Sequence, residues 1–192
     1  MRAFLVKARK GKTAPTFSLR SLAGTSGRLD VVLRSILAAF RWGGGLRRDV
    51  LFYALLEGPP RPPLVIEVRG PELESLPASE VELARVFCQV YSGEEVPGFR
   101  AYRESFESLI ARLSERFKVV YLHEGGRDIR SVELGDDTLF VLGNHEGLDR
   151  ESEEFLKRMS VPWVSLGPIA YLTSHCIVLV NEELDRRLRL SR

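Results

Sequence analysis

Thr138-Leu139-Phe140-Val141-Leu142-Gly143-Asn144-His145-Glu146-Gly147 is the stretch that decides how this chain is read. A run of apolar and β-branched residues over 138–142 passes directly into a glycine-bounded polar turn. That is the pattern of a strand buried on both faces and ending at a loop. Two neighbours repeat it. Val119-Val120-Tyr121-Leu122 leads into His123-Glu124-Gly125-Gly126, and a strand over 161–166 closes in Ser165-Leu166-Gly167-Pro168. A short helix is expected over 149–159, between the second and third of these strands. Strands alternating with helices imply an α/β fold, with a mostly parallel sheet and helices on both faces. Ligands in such sheets sit beyond the carboxyl ends of the strands. The three turns are therefore candidates for one shared site, where glycines let the backbone approach a ligand and leave peptide groups free for an adenine or ribose edge. The chain has no G-x-G-x-x-G and no Walker lysine motif, so the usual dinucleotide and P-loop readings lose support.

Upstream, residues 3–8 read as an opening strand. Leu29, Val32, Leu33, Ile36, Leu37 and Phe40 recur at helical spacing, with Asp30 at the start of the helix and Gly43-Gly44-Gly45 stopping it. Apolar runs over 50–56 and 64–68 flank Glu57-Gly58-Pro59-Pro60-Arg61-Pro62-Pro63 and predict two strands and a turn. Ser79 and Glu82 have the spacing of a capping box at a helix start. Tyr102, Phe106, Leu109, Ile110, Leu113 and Phe117 predict another helix. A final one carries Leu172, Cys176, Leu179, Val180, Leu184 and Leu188 on one face. No linker divides the 192 residues, so a single domain is expected.

Hydrophobic residues at 44% and charged residues at 28% exclude a disordered chain or a collagen-like fibre. Cys88 and Cys176 form no C-x-x-C, which rules out a zinc finger or redox motif. With no signal-peptide pattern and no apolar run of membrane-spanning length, the reading is a reduced, cytoplasmic protein without a membrane partner. The net charge of +2 hides an asymmetry. Residues 1–60 hold 11 Lys or Arg against 3 Asp or Glu, a surplus of +8, whereas 61–192 hold 17 against 23, or −6. This fits either a polyanion partner for the first part or a merely solvated basic face. Arg28, Arg47 and Arg48 suit phosphate contacts, and Arg2, Lys7, Arg9, Lys10 and Lys12 could extend the footprint.

The ordered trio of turns, followed by a helix, resembles the C-terminal pattern of SPOUT-class RNA methyltransferases. The match narrows with Arg2-Ala3-Phe4, Ser26-Gly27-Arg28-Leu29-Asp30, Arg47-Arg48-Asp49-Val50, the proline-rich turn, Gly70-x-Glu72-Leu73 and Ser174-His175-Cys176-Ile177. In that order these blocks are similar to the archaeal tRNA pseudouridine-54 N1-methyltransferases over nearly the whole chain. The resemblance implies a C-terminal deep trefoil knot and S-adenosylmethionine bound in bent form among three loops. It also implies a homodimer, and a substrate that is the T-arm of tRNA rather than DNA. Residues 1–117 would form the basic RNA-facing part and 118–192 the knotted donor-binding part. Leu122, Gly143, Leu166 and Cys176 would line the donor pocket.

N1 of pseudouridine is a nitrogen nucleophile once deprotonated, so the protein needs to orient reactants and accept or relay a proton. Asp30 is the first candidate for that role. Its alternative is a carboxylate that only stabilises a helix start. Cys176 is read as packing against the donor, or as a small buried hydrophobe. His123 and His145 are relays or hydrogen-bonding spacers. His175 and Cys176, adjacent on a helix and so about 100° apart, do not form a metal pair, and no metal is expected. Two rival functions stay open: methylation of pseudouridine in small-subunit ribosomal RNA, and a non-catalytic RNA-binding assembly factor with the same fold.

Overall fold

The structure is a computed structural model that describes the backbone of residues 1–190 and the side chains of 1–188. Its strands are β1 (Arg2–Ala8), β2 (Arg41–Trp42), β3 (Gly45–Leu46), β4 (Val50–Leu56), β5 (Leu64–Arg69), β6 (Phe99–Tyr102), β7 (Lys118–Asp128), β8 (Thr138–Gly143) and β9 (Trp163–Ser165). The helices are α1 (Leu22–Thr25), α2 (Leu29–Phe40), α3 (Glu80–Tyr91), α4 (Phe106–Ser114), α5 (Arg150–Arg158) and α6 (Thr173–Leu190). Seven strands form one sheet in the order β6-β5-β4-β1-β8-β7-β9. From β4 to β9 every neighbouring pair is parallel, and β5 pairs antiparallel with both β4 and β6.

The mostly parallel sheet with helices on both faces is borne out. All seven residues of β1 are buried, as a strand covered on both faces requires. Phe4, Val6, Phe52 and Phe140 point into the layer that holds α2, α3 and α6. Ala3, Leu5, Leu51 and Val141 point into the layer of α4 and α5. Phe4 and Phe140 stack across β1 and β8 with centroids 5.7 Å apart, a pair worth about 1 kcal/mol beyond its burial. The Ser79–Glu82 capping box is present at the start of α3.

Four local readings need correction. Tyr102 is not helical: it ends β6 opposite Val65, and α4 starts only at Phe106 behind its Ser105 cap. The triple glycine does not stop α2, which ends at Phe40; Gly43 and Gly44 instead turn the small β2–β3 ribbon. β7 continues through the polar 123–126 segment to Asp128, with a register irregularity between Leu122 and Arg127. That continuation depends on Gly126, where a Cβ would come within 2.5 Å of the Val164 nitrogen. Finally, α6 buries Ile177, Val180 and Asn181 on its α2 side, while Leu172, just before the helix, Leu179 and Leu188 are exposed.

The topology positions the site. The chain leaves β1 towards β4 on one side and returns as β8 on the other. A crevice therefore opens at their carboxyl edge, as it does wherever strand order reverses. Lys7 of β1 is level with both Leu55 and Gly143.

Candidate active site

At the carboxyl edge of β8 and β9, beside the irregular middle of β7, three segments converge on one cavity of about 480 Å³. Leu122 and His123 come from the middle of β7, 143–147 from the second turn, and Leu166 and Gly167 from the third, while Cys176 closes the wall from α6. Leu122, Gly143, Leu166 and Cys176 thus meet in one cleft. The turns are shaped by close backbone approach. A Cβ on Gly143 would overlap the Gly147 carbonyl and lie 2.5 Å from its Cα; one on Gly167 would sit 2.7 Å from the Tyr171 hydroxyl. Gly147 adopts φ +73°, a conformation that favours glycine. The Thr173 hydroxyl donates to the Gly143 carbonyl at 3.1 Å, tying the second turn to the start of α6. The Ser165 hydroxyl donates to the Gly167 carbonyl at 2.7 Å and fixes the third.

The cleft is electrostatically mixed. The Tyr121 hydroxyl donates to Glu153 Oε1 at 2.9 Å, and burial together with this carboxylate pushes the phenol well above its usual range. Burial pushes the Cys176 thiol up to about 11, so it lines the cleft as a protonated, neutral group. His123 Nδ1 accepts the Gly125 N–H at 3.0 Å, and its ring lies 4.6 Å from that of Trp163, the arrangement of a spacer. His145 lines the cleft from the second turn. His175 is not among the lining residues. No group of three or more His, Cys, Asp or Glu among the described residues is placed to hold a metal ion. Neither cysteine is in a disulfide.

Behind the cleft, buried Lys7 reaches Asp149 at 2.8 Å, Ser152 at 2.7 Å and Glu57 at 3.3 Å. Burial raises the Glu57 carboxyl against the pull of Lys7. Burial also opposes ionisation of Asp149, but the ammonium and the Ser152 N–H outweigh it and hold that carboxyl down at about 2.

Asp30 does not line the cleft. It lies in the first turn of α2, only 5% exposed, and receives a bidentate contact from Arg28 at 2.9 and 3.0 Å. It makes no side-chain cap: the Ser26 hydroxyl takes the Leu29 N–H at 3.0 Å, and Arg28 enters the helix at φ 65°. This helix start still faces the carboxyl edge, because Lys12 N–H bonds the Ser26 carbonyl and Gly27 packs on the Lys10 carbonyl. Arg47 and Arg48 precede β4, at the opposite edge of the sheet. Arg47 donates to both Asp185 carboxylate oxygens from its two terminal nitrogens, and Arg48 donates to the Leu73 carbonyl. Arg2 is buried on Asp49, Asn181 and Asp185. Much of the basic surplus of residues 1–60 therefore pairs with the acidic surplus of the rest, within the molecule.

The family model described as "Putative SAM-dependent RNA methyltransferase" matches residues 1–188. A tRNA (pseudouridine(54)-N(1))-methyltransferase of Pyrococcus abyssi is 40% identical over 201 residues, covering 97% of this chain and 98% of that protein. The enzyme of the same name from Methanocella arvoryzae is 39% identical, covering 97% of this chain and all of that one. This chain belongs to the tRNA (pseudouridine(54)-N(1))-methyltransferase family. Among solved structures, Archaeoglobus fulgidus Nep1 bound to S-adenosylhomocysteine shares the fold at a TM-score of 0.67, with 15% identity over 96% of this chain and 97% of that one.

For a member of the pseudouridine-54 methyltransferase family, sequence reading recovered the loops and missed much of the lining. Tyr121, Asn144, Glu153, Ala170, Tyr171 and Thr173 also face the cleft. Tyr121 and Asn144 adjoin residues already singled out, and Thr173 begins the final helix. Glu153 carried no signal, because only the packing of α5 turns it towards Tyr121.

Proposed function

We propose that this chain transfers a methyl group from S-adenosylmethionine to N1 of pseudouridine 54 in the T-arm of tRNA, producing N1-methylpseudouridine. The observation that carries this reading is the convergence of Leu122 on β7 with the turns at 143 and 166 on one cleft. A volume of about 480 Å³ suits a nucleoside-sized ligand. Leu122, Leu142 and Leu166 offer apolar walls for an adenine, and Gly143 and Gly167, lacking side chains, let the turns close tightly on Gly147 and Tyr171. Cys176 would pack against it as a neutral thiol. Bound there, the donor supplies an electrophilic sulfonium methyl.

The protein's own part is to orient and to manage a proton. The cleft walls hold the acceptor nitrogen in line with the methyl group. Asp30, its carboxylate fixed by Arg28, is proposed to accept or relay the N1 proton. Since Asp30 lies outside the cleft lining, this role requires the base to reach from the cleft mouth to the start of α2, within one chain or across a homodimer. We infer such a dimer. Val178, exposed at 52%, and Leu179 on α6 offer it an apolar face. A knotted C-terminal path is part of the same proposal. β9 lies at the sheet edge beside β7, yet α6 packs on α2, next to β1, so the chain recrosses the sheet after β9. Arg28, which also holds Asp30, is proposed to meet RNA phosphate, and Arg47 and Arg48 to do so from the other edge only by exchanging their internal partners. The proposed setting is the cytoplasm, and among the described residues no helix is long and apolar enough to cross a membrane.

The test is methyl transfer to T-arm RNA carrying either uridine or pseudouridine at the target position. Pseudouridine is joined to ribose through C5 and leaves N1 free, whereas the N1 of uridine carries the glycosidic bond. Transfer to the pseudouridine RNA alone is expected. Equal transfer to both, or to neither, overturns the proposal.

A further inference from the structure

We propose that Arg9 and Lys10 are phosphate contacts for the RNA, and that a phosphate displacing Glu146 from them loosens the second turn of the cleft, so that RNA binding and donor binding are coupled. This rests on the methyltransferase reading above.

Lys10 Nζ meets Glu146 Oε1 at 2.5 Å, and an Arg9 terminal nitrogen meets Glu146 Oε2 at 3.2 Å. Lys10 also holds the Glu146 carboxyl below its usual range. Glu146 belongs to the cleft lining, and its backbone N–H donates to Asn144 Oδ1 at 3.0 Å within the 143–147 turn. The cations are thus joined through one side chain to the loop that Gly143 and Gly147 shape.

Two cations share a single carboxylate, so the spot keeps a net positive charge at the mouth of the cleft. The Arg9 and Lys10 side chains are 40% and 65% exposed, unlike buried Arg2 and Lys7. The backbone behind them is fixed, because Cβ atoms on Gly27 or Gly58 would overlap the Lys10 carbonyl. Lys10 therefore stands between the Arg28–Asp30 helix start and the donor turn. A phosphate diester is the anion that RNA would bring here, and it competes directly with the Glu146 carboxylate for the same guanidinium and ammonium. Such a competition links the two ligands reciprocally.

The experiment measures S-adenosylhomocysteine affinity by calorimetry with and without T-arm RNA bearing pseudouridine at the target, to which S-adenosylhomocysteine has no methyl group to give. RNA affinity is measured over a salt series. In the wild-type protein the RNA is expected to change the S-adenosylhomocysteine Kd about two- to fivefold, the size of effect an exposed ion pair carries. Glu146→Gln is expected to tighten RNA binding by a similar factor and to abolish its effect on the Kd. The double variant Arg9→Ala, Lys10→Ala is expected to weaken RNA binding and lower the salt slope by about 1 to 2. A Glu146→Gln protein that binds RNA no more tightly, or keeps the full effect on the Kd, overturns the coupling, as does an unchanged salt slope in the double variant. Failure of the wild type to bind RNA or S-adenosylhomocysteine at all overturns instead the methyltransferase reading on which the coupling stands.

Discussion

Adding one methyl group at Gly143 probes the cleft most sharply. In Gly143→Ala the new Cβ would overlap the carbonyl of Gly147, which is backbone and cannot rotate away. The turn must therefore open, and the Gly143 carbonyl must shift from the Thr173 hydroxyl that meets it at 3.1 Å. Forcing a methyl group into a filled site costs about 1–3 kcal/mol. At about 2–4 °C per kcal/mol for a domain of this size, the melting temperature is expected to fall by about 4–8 °C. Because the strain falls on the donor turn, affinity for S-adenosylhomocysteine is expected to drop about tenfold or more, equivalent to about 1.4 kcal/mol. Taken at about 2 kcal/mol, the middle of its range, the cost of the added methyl group gives the fall of about 4–8 °C; the assay is titration calorimetry beside thermal unfolding, with Gly135→Ala as the control. A Cβ on Gly135 meets nothing within 4 Å, so that variant should stay within about 0.5 kcal/mol of the wild type. A Gly143→Ala protein that melts normally and binds within about twofold of the wild type would refute the argument that this turn needs glycine in order to form the cleft.

Asp30→Asn is expected to lower the single-turnover methylation rate far more than it lowers the melting temperature; a rate within about threefold of the wild type ends the proton-handling role. Cys176→Ala should keep the fold and weaken donor binding, and an unchanged calorimetric affinity would reject the packing role. The Asp149 carboxyl, held at about 2 when folded against an ordinary 3.8, contributes stability present above about pH 4 and lost as the pH falls towards 2. Asp149→Asn should therefore flatten the melting-temperature profile across that window, and an unaltered profile would show that Lys7 does not stabilise this carboxylate.

What sequence could and could not supply follows from the range of each interaction. The capping box at Ser79 and the apolar run of β1 are local, and both stand in the structure as read. Tyr102 misled because its four-residue spacing to Phe106 matches a helical stripe, whereas strand pairing with β5 decides its conformation. Likewise the 123–126 segment reads as a loop, yet contact with β9 draws it into a strand. The turns after β8 and β9 were legible because each follows its own strand directly, and Leu122 because it closes the apolar run of β7. The edge at which Arg47 and Arg48 lie was not legible, since it depends on the strand order β4-β1-β8, which no local pattern encodes. The basic surplus of residues 1–60 misled in the same way, as pairs such as Arg47–Asp185 and Lys7–Asp149 join residues about 140 positions apart in sequence.

A crystal structure of the chain grown with S-adenosylhomocysteine examines the central claim most directly. The ligand is expected among Leu122, Gly143, Leu166 and Cys176, its adenine against the leucines. Finding it elsewhere, for instance in the cavity beside Trp42 and Arg47 at the opposite edge of the sheet, would contradict the account.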